Sequence, residues 1–447
     1  MRPFLSHSPC CVPPHPTMPT SIPFRMPRPS FALALLLTSV GVSAQETPAS
    51  RLTLAQALAL AAERHPSLAA QAYQERAAAG LVDQAGLRPN PTLEVGLENV
   101  LGTGRVQGVR SLEATVQASQ TFERGGKRER RVAVATRERE TATKEFALRR
   151  AEILSVTAGA YVATVAAQQR LTLAAEPLRL ARETLTVIEA RNRAGAASLA
   201  ESARTRAALA SAEAEFARAE AAVGSARAAL AATWGGDLSE VPAVPGVLRM
   251  PDSLPSEAAL RARLGMHPRL NLQAAIISSR RAALELEQAQ ATQDVTASGG
   301  VRFLRDGTDA AFVAGVSVPI PTRNKNQGNI RAAREILAGA EHTVRAVEAE
   351  LRAAFTAAWQ DLVSAHTLAQ KLRRDALPAT EEAHAAVRRA YEAGPIPLID
   401  VLDAQRALVA LRREILEADS AYAAALVRLE ALTDSSYPSV STLISQP

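Results

Sequence analysis

The 447-residue sequence predicts an α+β membrane protein, a tandem-duplicated protomer with four membrane-crossing β-strands and long coiled-coil-like α-helices. Three observations carry this. The chain is written twice: residues 45–235 and 253–433 run through the same order of helix, two alternating strands and two long heptad-patterned helices. The register is close to 200 residues throughout, with His65-Pro66 returning as His267-Pro268, the segment 122–127 as 320–325, and Ala194-Gly195 as Ala393-Gly394. Each strand has one apolar and one polar face and about ten residues, the length that crosses a bilayer when tilted. A repeat on this scale asks for internal pseudosymmetry rather than a pocket enzyme.

The elements follow in order. Phe31 to Val42 is an apolar run after Arg25 and Arg28, and Val42-Ser43-Ala44 supplies a signal-peptidase pattern. Residues 1–44 therefore read as a secretory signal, with 1–25 an over-extended start ahead of Met26. At 12 residues the run is shorter than the roughly 20 that a spanning helix needs. Cys10 and Cys11 both lie there, so the mature chain is expected to lack disulfides, thiolate metal ligands, a cysteine nucleophile and a lipidated N-terminal cysteine. The formal charge of +6 includes Arg2, Arg25 and Arg28, leaving the mature chain near +3, too small and dispersed for a nucleic-acid partner.

In the first repeat, helices are expected at about 52–86, 127–194 and 197–233, with strands at about 91–100 and 110–122. The second is expected to have helices at about 254–290, 327–393 and 397–432, with strands at about 293–304 and 310–320. A Pro-containing linker, 236–252, separates the repeats, and a tail, 434–447, follows the second. Heptad seams support the long helices: Ala147, Ala151, Leu154, Ala158, Tyr161 and Val165 are matched by Leu351, Phe355, Ala358, Leu362, Ala365 and Ala369. A second stripe of small residues, including Ile153, Val156 and Ala160, lets the first long helix pack on both sides. An antiparallel coiled-coil rod satisfies the helix pattern equally well.

The strands separate the two. Leu93, Val95 and Leu97 alternate with Thr92, Glu94 and Glu98, and the other three strands behave alike. One such hairpin could cap a soluble domain. Two of them in a secreted chain, each feeding an unusually long helix, point to a membrane. Four strands are too few to close a barrel, and open edges are not tolerated in lipid, so the chain must oligomerise.

These residues resemble the TolC family of outer-membrane efflux channels over essentially all of 52–433. Local motifs resemble its heavy-metal, CzcC/CusC-like branch: Arg88-Pro89-Asn90-Pro91 with Glu98-Asn99, Glu123-Arg124-Gly125-Gly126-Lys127-Arg128, and Pro319-Ile320-Pro321 followed by Asn324-Lys325-Asn326-Gln327-Gly328. The resemblance implies a homotrimer in the outer membrane, with a 12-stranded barrel continuing into a periplasmic α-helical barrel. It implies a passive exit duct of a tripartite system, joined through a periplasmic adaptor (membrane fusion) protein to an inner-membrane RND pump. The implied cargo is divalent heavy-metal cations; a duct for drugs or organic solutes is the alternative, and a soluble periplasmic coiled-coil scaffold is the alternative from another class. It implies that 236–252 and the tail form an equatorial band around the tube.

Ile399-Asp400-Val401-Leu402-Asp403-Ala404 resembles the family segment at the periplasmic aperture, where symmetry would turn Asp400 and Asp403 into rings of carboxylates favouring cations. The alternative is that Asp400 caps or complements its helix. The first repeat has Glu201 and Arg204 in those places. Glu94, Glu98, Glu113, Asp294 and Arg302 are expected on the lumen side of the strands, or are wetted polar residues and nothing more. The histidines His65, His267, His342, His366 and His384 have no ligand spacing, so no metal site is expected. No cofactor and no enzyme motif is expected.

Overall fold

The computed structural model describes residues 52–445 apart from 243, 306, 308, 395, 434 and 435. The expected signal segment 1–44, with both cysteines, lies outside the described residues.

The first expected helix, 52–86, is two helices: α1 (Leu54–Arg64) and α2 (Pro66–Ala85). A residue before proline is pushed out of the helical region, and His65 is extended at φ −63° and ψ 123°. Pro66 then starts α2, where its missing N–H costs nothing. The His65 Nδ1 accepts a hydrogen bond from the Ser67 N–H at 3.1 Å, and so caps the new helix. Strands β1 (Thr92–Glu98) and β2 (Glu113–Phe122) follow, then α3 (Lys127–Arg193) and α4 (Leu199–Ala232). The 67 residues of α3 reach about 100 Å at 1.5 Å per residue.

After a two-residue strand, β3 (Val247–Leu248), the pattern recurs. The expected helix 254–290 also breaks, into α5 (Glu257–Ala262) and α6 (Pro268–Gln290). His267 repeats the cap, accepting the Arg269 N–H at 3.1 Å. Strands β4 (Val295–Leu304) and β5 (Asp309–Ser317) lead to α7 (Gln327–Lys371). Pro319 cannot donate to a ladder, and β5 stops short of the expected residue 320. Both long helices start from a left-handed residue, Gly126 at φ 69° and Asn326 at φ 60°. That aligns 126 with 326, and corrects by two residues the register of 125–127 against 323–325 read from the sequence.

The expected helix 327–393 is likewise not uniform. A π-helical turn, Leu372–Ala376, joins α7 to α8 (Leu377–Glu392). Pro378 lacks the N–H for the next i→i−4 bond and its ring crowds the preceding turn, and the wider π turn absorbs both. Pro177, its counterpart in the first repeat, is accommodated inside an unbroken α3. The chain ends in α9 (Leu398–Thr433), α10 (Pro438–Leu443) and β6 (Ile444–Ser445).

The four long strands form one antiparallel sheet in the order β1-β2-β4-β5. Strands β2 and β4 pair from Glu113↔Leu304 to Phe122↔Val295, so the central ladder joins the two repeats and β1 and β5 are the edges. At Gly300 a Cβ would lie 2.2 Å from the Val116 carbonyl oxygen, so this pairing requires glycine.

The core lies where the helices meet the linker and tail. Tyr161, Val165, Phe355, Leu362, Tyr422 and Leu426 from α3, α7 and α9 are buried together with Trp234, Val241, Leu248, Tyr437 and Val440. Strands β3 and β6 pair, and the buried Glu430 on α9 accepts the Ser439 and Val440 N–H groups at 2.8 and 3.2 Å. The linker and the tail are thereby zipped to each other and to α9.

Candidate functional site

The sequence-predicted residues fall at two places along the fold. On the sheet, cross-strand partners share a face. The register aligns Gly96 with Thr115 and Thr115 with Arg302, and it aligns Glu98 with Glu113. Thr92, Glu94, Glu98, Glu113, Thr115, Gln117 and Arg302 therefore lie on one side. Leu93, Val95, Leu97, Val116, Phe122, Phe303, Phe312 and Val316 lie on the other, and all eight are exposed. Phe312 is 94% exposed and Leu93 73%.

The polar side is a connected lattice. Arg302 donates to the Glu113 carboxylate at 3.0 Å and to the Thr115 hydroxyl at 3.1 Å, and it approaches Glu98 at 3.6 Å. Gln117 donates to Glu94 at 3.1 Å, and Asn99 to Glu113 at 3.3 Å. Four of the five predicted strand residues thus share one face. Asp294 stands just before β4, where its carboxylate accepts from Lys127 at 2.7 Å and from the Arg124 N–H at 3.0 Å. It ties the start of α3 to the sheet.

The second place is the turn between α8 and α9. Gly394 has φ 95°, and α9 opens with Asp400 in its first turn, exposed, where a negative charge suits the helix dipole. The Asp400 carboxylate makes no hydrogen bond or ion pair with a described residue. Asp403, one turn on, pairs with Arg406 at 2.8 Å. The matching turn of the first repeat is built differently. Ser198 and Glu201 form a reciprocal capping box, in which the Ser198 N–H and then its hydroxyl hold the Glu201 carboxyl below its ordinary range. The two turns are tied to one another by Arg191, which donates to the Tyr391 hydroxyl at 3.1 Å.

Sequence reasoning missed a third feature. Asp419, 6% exposed on α9, is paired with Arg373 in the π turn, and its Oδ1 has no hydrogen-bond partner. Burial pushes its carboxyl above the usual range, while Arg373 pulls the other way. An aspartate on the inner face of a heptad helix was the one available signal. The two histidine caps were missed too: His65 and His267 were visible as a repeat and not as caps. At His267 burial, and then Arg269, hold the imidazole below its ordinary value, which favours the neutral ring that can accept the cap bond.

A groove of about 920 Å³ runs among α3, α4 and α9, lined by a mixture of alanines and charged side chains that includes Arg204, Glu215, Arg406 and Arg413. Among the described residues no three His, Cys, Asp or Glu side chains gather into a metal-holding group, and no helix is long and apolar enough to cross a membrane.

The geometry has counterparts. The family described as "Outer membrane efflux protein" matches residues 57–236 and 259–434, one match to each repeat. The cobalt-zinc-cadmium resistance protein CzcC of Cupriavidus metallidurans is 31% identical over 387 residues, 86% of this chain and 91% of that protein. The nickel and cobalt resistance protein CnrC of the same organism is 34% identical over 342 residues, 76% of this chain and 79% of that one. The outer membrane protein VceC of Vibrio cholerae has the same fold, with a TM-score of 0.68 at 21% identity, over 85% of this chain and 96% of that one. Both repeats, with their strand pairs and long helices, are covered by these matches, and the chain belongs to the outer membrane efflux protein family.

Proposed function

We propose that three copies of this chain assemble a 12-stranded barrel on a periplasmic α-helical barrel, and that the assembly is a passive outer-membrane exit duct for divalent heavy-metal cations. The observation that carries this is the four-stranded sheet, whose edges β1 and β5 are open and whose apolar face is bare. Lipid tolerates neither an open edge nor an unsatisfied backbone group. Joining β5 of one copy to β1 of the next closes the sheet, puts Phe312 and Leu93 against lipid, and turns the Arg302–Glu113 lattice inward. The cargo follows from the similarity to proteins named for resistance to cobalt, zinc, cadmium and nickel. The cation is substrate here and is not held as a cofactor.

The energy comes from an inner-membrane RND pump coupled through a periplasmic adaptor, and the chain itself performs no chemical step. Asp400 and Asp403 line the periplasmic aperture. Three Asp400 carboxylates bare of partners make it cation-attracting, while each Asp403 is offset by Arg406. The test is conductance of the detergent-extracted protein in a planar bilayer, beside the double variant Asp400→Ala, Asp403→Ala. A cation-selective conductance that rises in the variant supports the duct and its constriction. A chain that stays soluble without detergent and remains monomeric overturns the proposal.

A further inference from the structure

Unpaired cations collect where the strands hand over to the helices. Arg88 precedes β1, Arg124 follows β2, Arg323 and Lys325 lie between β5 and α7, and Arg331 is on the second turn of α7. All of these side chains are exposed, and none makes a hydrogen bond or ion pair with a described residue. The carboxylates of the same level are already engaged. Glu123 is held by Arg131 and Glu285 by Arg130, Asp294 by Lys127 at 2.7 Å, Glu287 by Asn326 at 2.7 Å, and Glu129 by Arg128 at 3.4 Å. Asp83, near the end of α2, and Glu335, one turn beyond Arg331 on α7, are neighbouring acids without a side-chain partner among the described residues.

The level is held in place by the backbone. Gln120 donates to the Pro89 carbonyl at 2.9 Å, Arg131 to the Leu87 carbonyl at 3.1 Å, and Asn326 to the Glu287 carbonyl at 2.7 Å. Immediately beyond begins the bare apolar region: Phe122, two residues from Arg124, and Val318 and Ile320, just ahead of Arg323, are all exposed. Bare cations along the border of a bare apolar face suit one environment. Their methylene stems lie against acyl chains while the charged heads reach headgroup phosphates.

We propose that this collar binds the anionic phospholipid headgroups of the leaflet on the helical, periplasmic side of the outer membrane. The proposal rests on the reading of the sheet as membrane-embedded. Near an anionic surface each Lys or Arg contributes roughly a fivefold gain in binding, so the unpaired set would sort anionic from zwitterionic lipid strongly.

The full chain is first incorporated into bilayer discs of phosphatidylcholine, then into discs with a minor fraction of phosphatidylglycerol, and the lipid retained on detergent extraction is quantified by mass spectrometry. Parent protein is expected to retain phosphatidylglycerol several-fold above its bulk fraction. The triple variant Arg88→Gln, Arg124→Gln, Arg323→Gln, which leaves only Lys325 and Arg331 of the set, should lose most of the enrichment, and the same three positions changed to Lys should keep it. High salt should abolish it, and inorganic phosphate at matched ionic strength should not displace it.

Retention at the bulk fraction by the parent, or unchanged enrichment in the Gln variant, overturns the collar. Displacement by inorganic phosphate alone overturns its assignment to lipid. If the Gln variant does not fold, the Lys variant and the salt series on the parent decide. Failure to enter phosphatidylcholine discs, with solubility in the absence of detergent, overturns the membrane reading and the collar together; entry without lipid preference overturns the collar alone.

Discussion

The charge at the α8–α9 turn gives a prediction in which two substitutions act in opposite directions. Each protomer contributes Asp400, which is unpaired, and the Asp403–Arg406 pair, which is neutral as a unit. In the proposed trimer the ring would carry a formal charge of about −3, which Asp400→Asn takes to about 0 and Arg406→Gln to about −6. At about 10 Å, one Debye length in 0.1 M salt, three such charges in water raise the local concentration of a divalent cation about fivefold. At 0.01 M, where the Debye length is about 30 Å, the same charges give roughly 20-fold. The assay is the reversal potential of single channels under a gradient of a divalent chloride, at both ionic strengths. Asp400→Asn should lose the cation preference, with the larger loss at low salt, and Arg406→Gln should increase it. A loss in both variants, or effects indifferent to salt, would refute the placement of these groups at the constriction.

Other outcomes follow from the same contacts. Arg373→Leu leaves the buried Asp419 carboxylate without its partner and should cost about 3–5 kcal/mol, measured by denaturant unfolding of the solubilised protein, whereas the double change Arg373→Leu, Asp419→Leu should recover most of the loss. Phe355→Ala empties a site 1% exposed in the core and should cost about 3–5 kcal/mol in the same assay. The depressed His267 pKa means that the unfolded chain takes up its proton first as the pH falls. The contribution of this residue is fully present above about pH 6.5, the unfolded value, and is lost as the pH drops from there toward the lower folded value; His267→Asn should flatten that part of the stability–pH curve. Tyr391→Phe removes the acceptor of Arg191 at the helix turns and should raise the frequency of channel openings without altering the unfolding midpoint.

Periodicity is local, and what depends on it was legible. Heptads set α3, α4, α7 and α9, and period-two alternation set the four strands and their two faces. What failed was punctuation: His65 and His267 stood in view before proline, yet the helices were drawn through them because the apolar pattern continues on both sides. What was hidden lies between residues far apart in the chain. The pairing of β2 with β4 and the Arg191–Tyr391 link join the two repeats, and the Arg373–Asp419 pair joins two segments within the second; no single-helix pattern encodes partners this far apart in the chain. The polar strand residues show the difference clearly. Alternation placed Glu98, Glu113 and Arg302 on one face, whereas their ion pairing needed the register.

The duplication itself separates scaffold from function. A feature that both repeats retain serves the architecture that both must build, and the retained features here are of that kind: the two His-Pro caps, the left-handed residues Gly126 and Asn326, and the buried seams of α3 and α7. The broken correspondences are few and lie where charge is left over. Ser198 and Glu201 close a reciprocal capping box at the start of α4, while Asp400, in the first turn of α9, has a carboxylate without a partner among the described residues. Pro177 is absorbed in a regular helix, while Pro378 follows a π turn that carries Arg373 to a buried carboxylate. In the proposed tube of three copies, the aperture would take its charged lining from one hairpin of each pair and its support from the other. On that reading the asymmetry between Ser198-Glu201 and Asp400-Asp403 divides the labour between the hairpins, and the double change Pro397→Ser, Asp400→Glu, which keeps the ring charge but draws each carboxylate onto its own helix start, should weaken the cation preference less than Asp400→Asn does while leaving the helix start better capped.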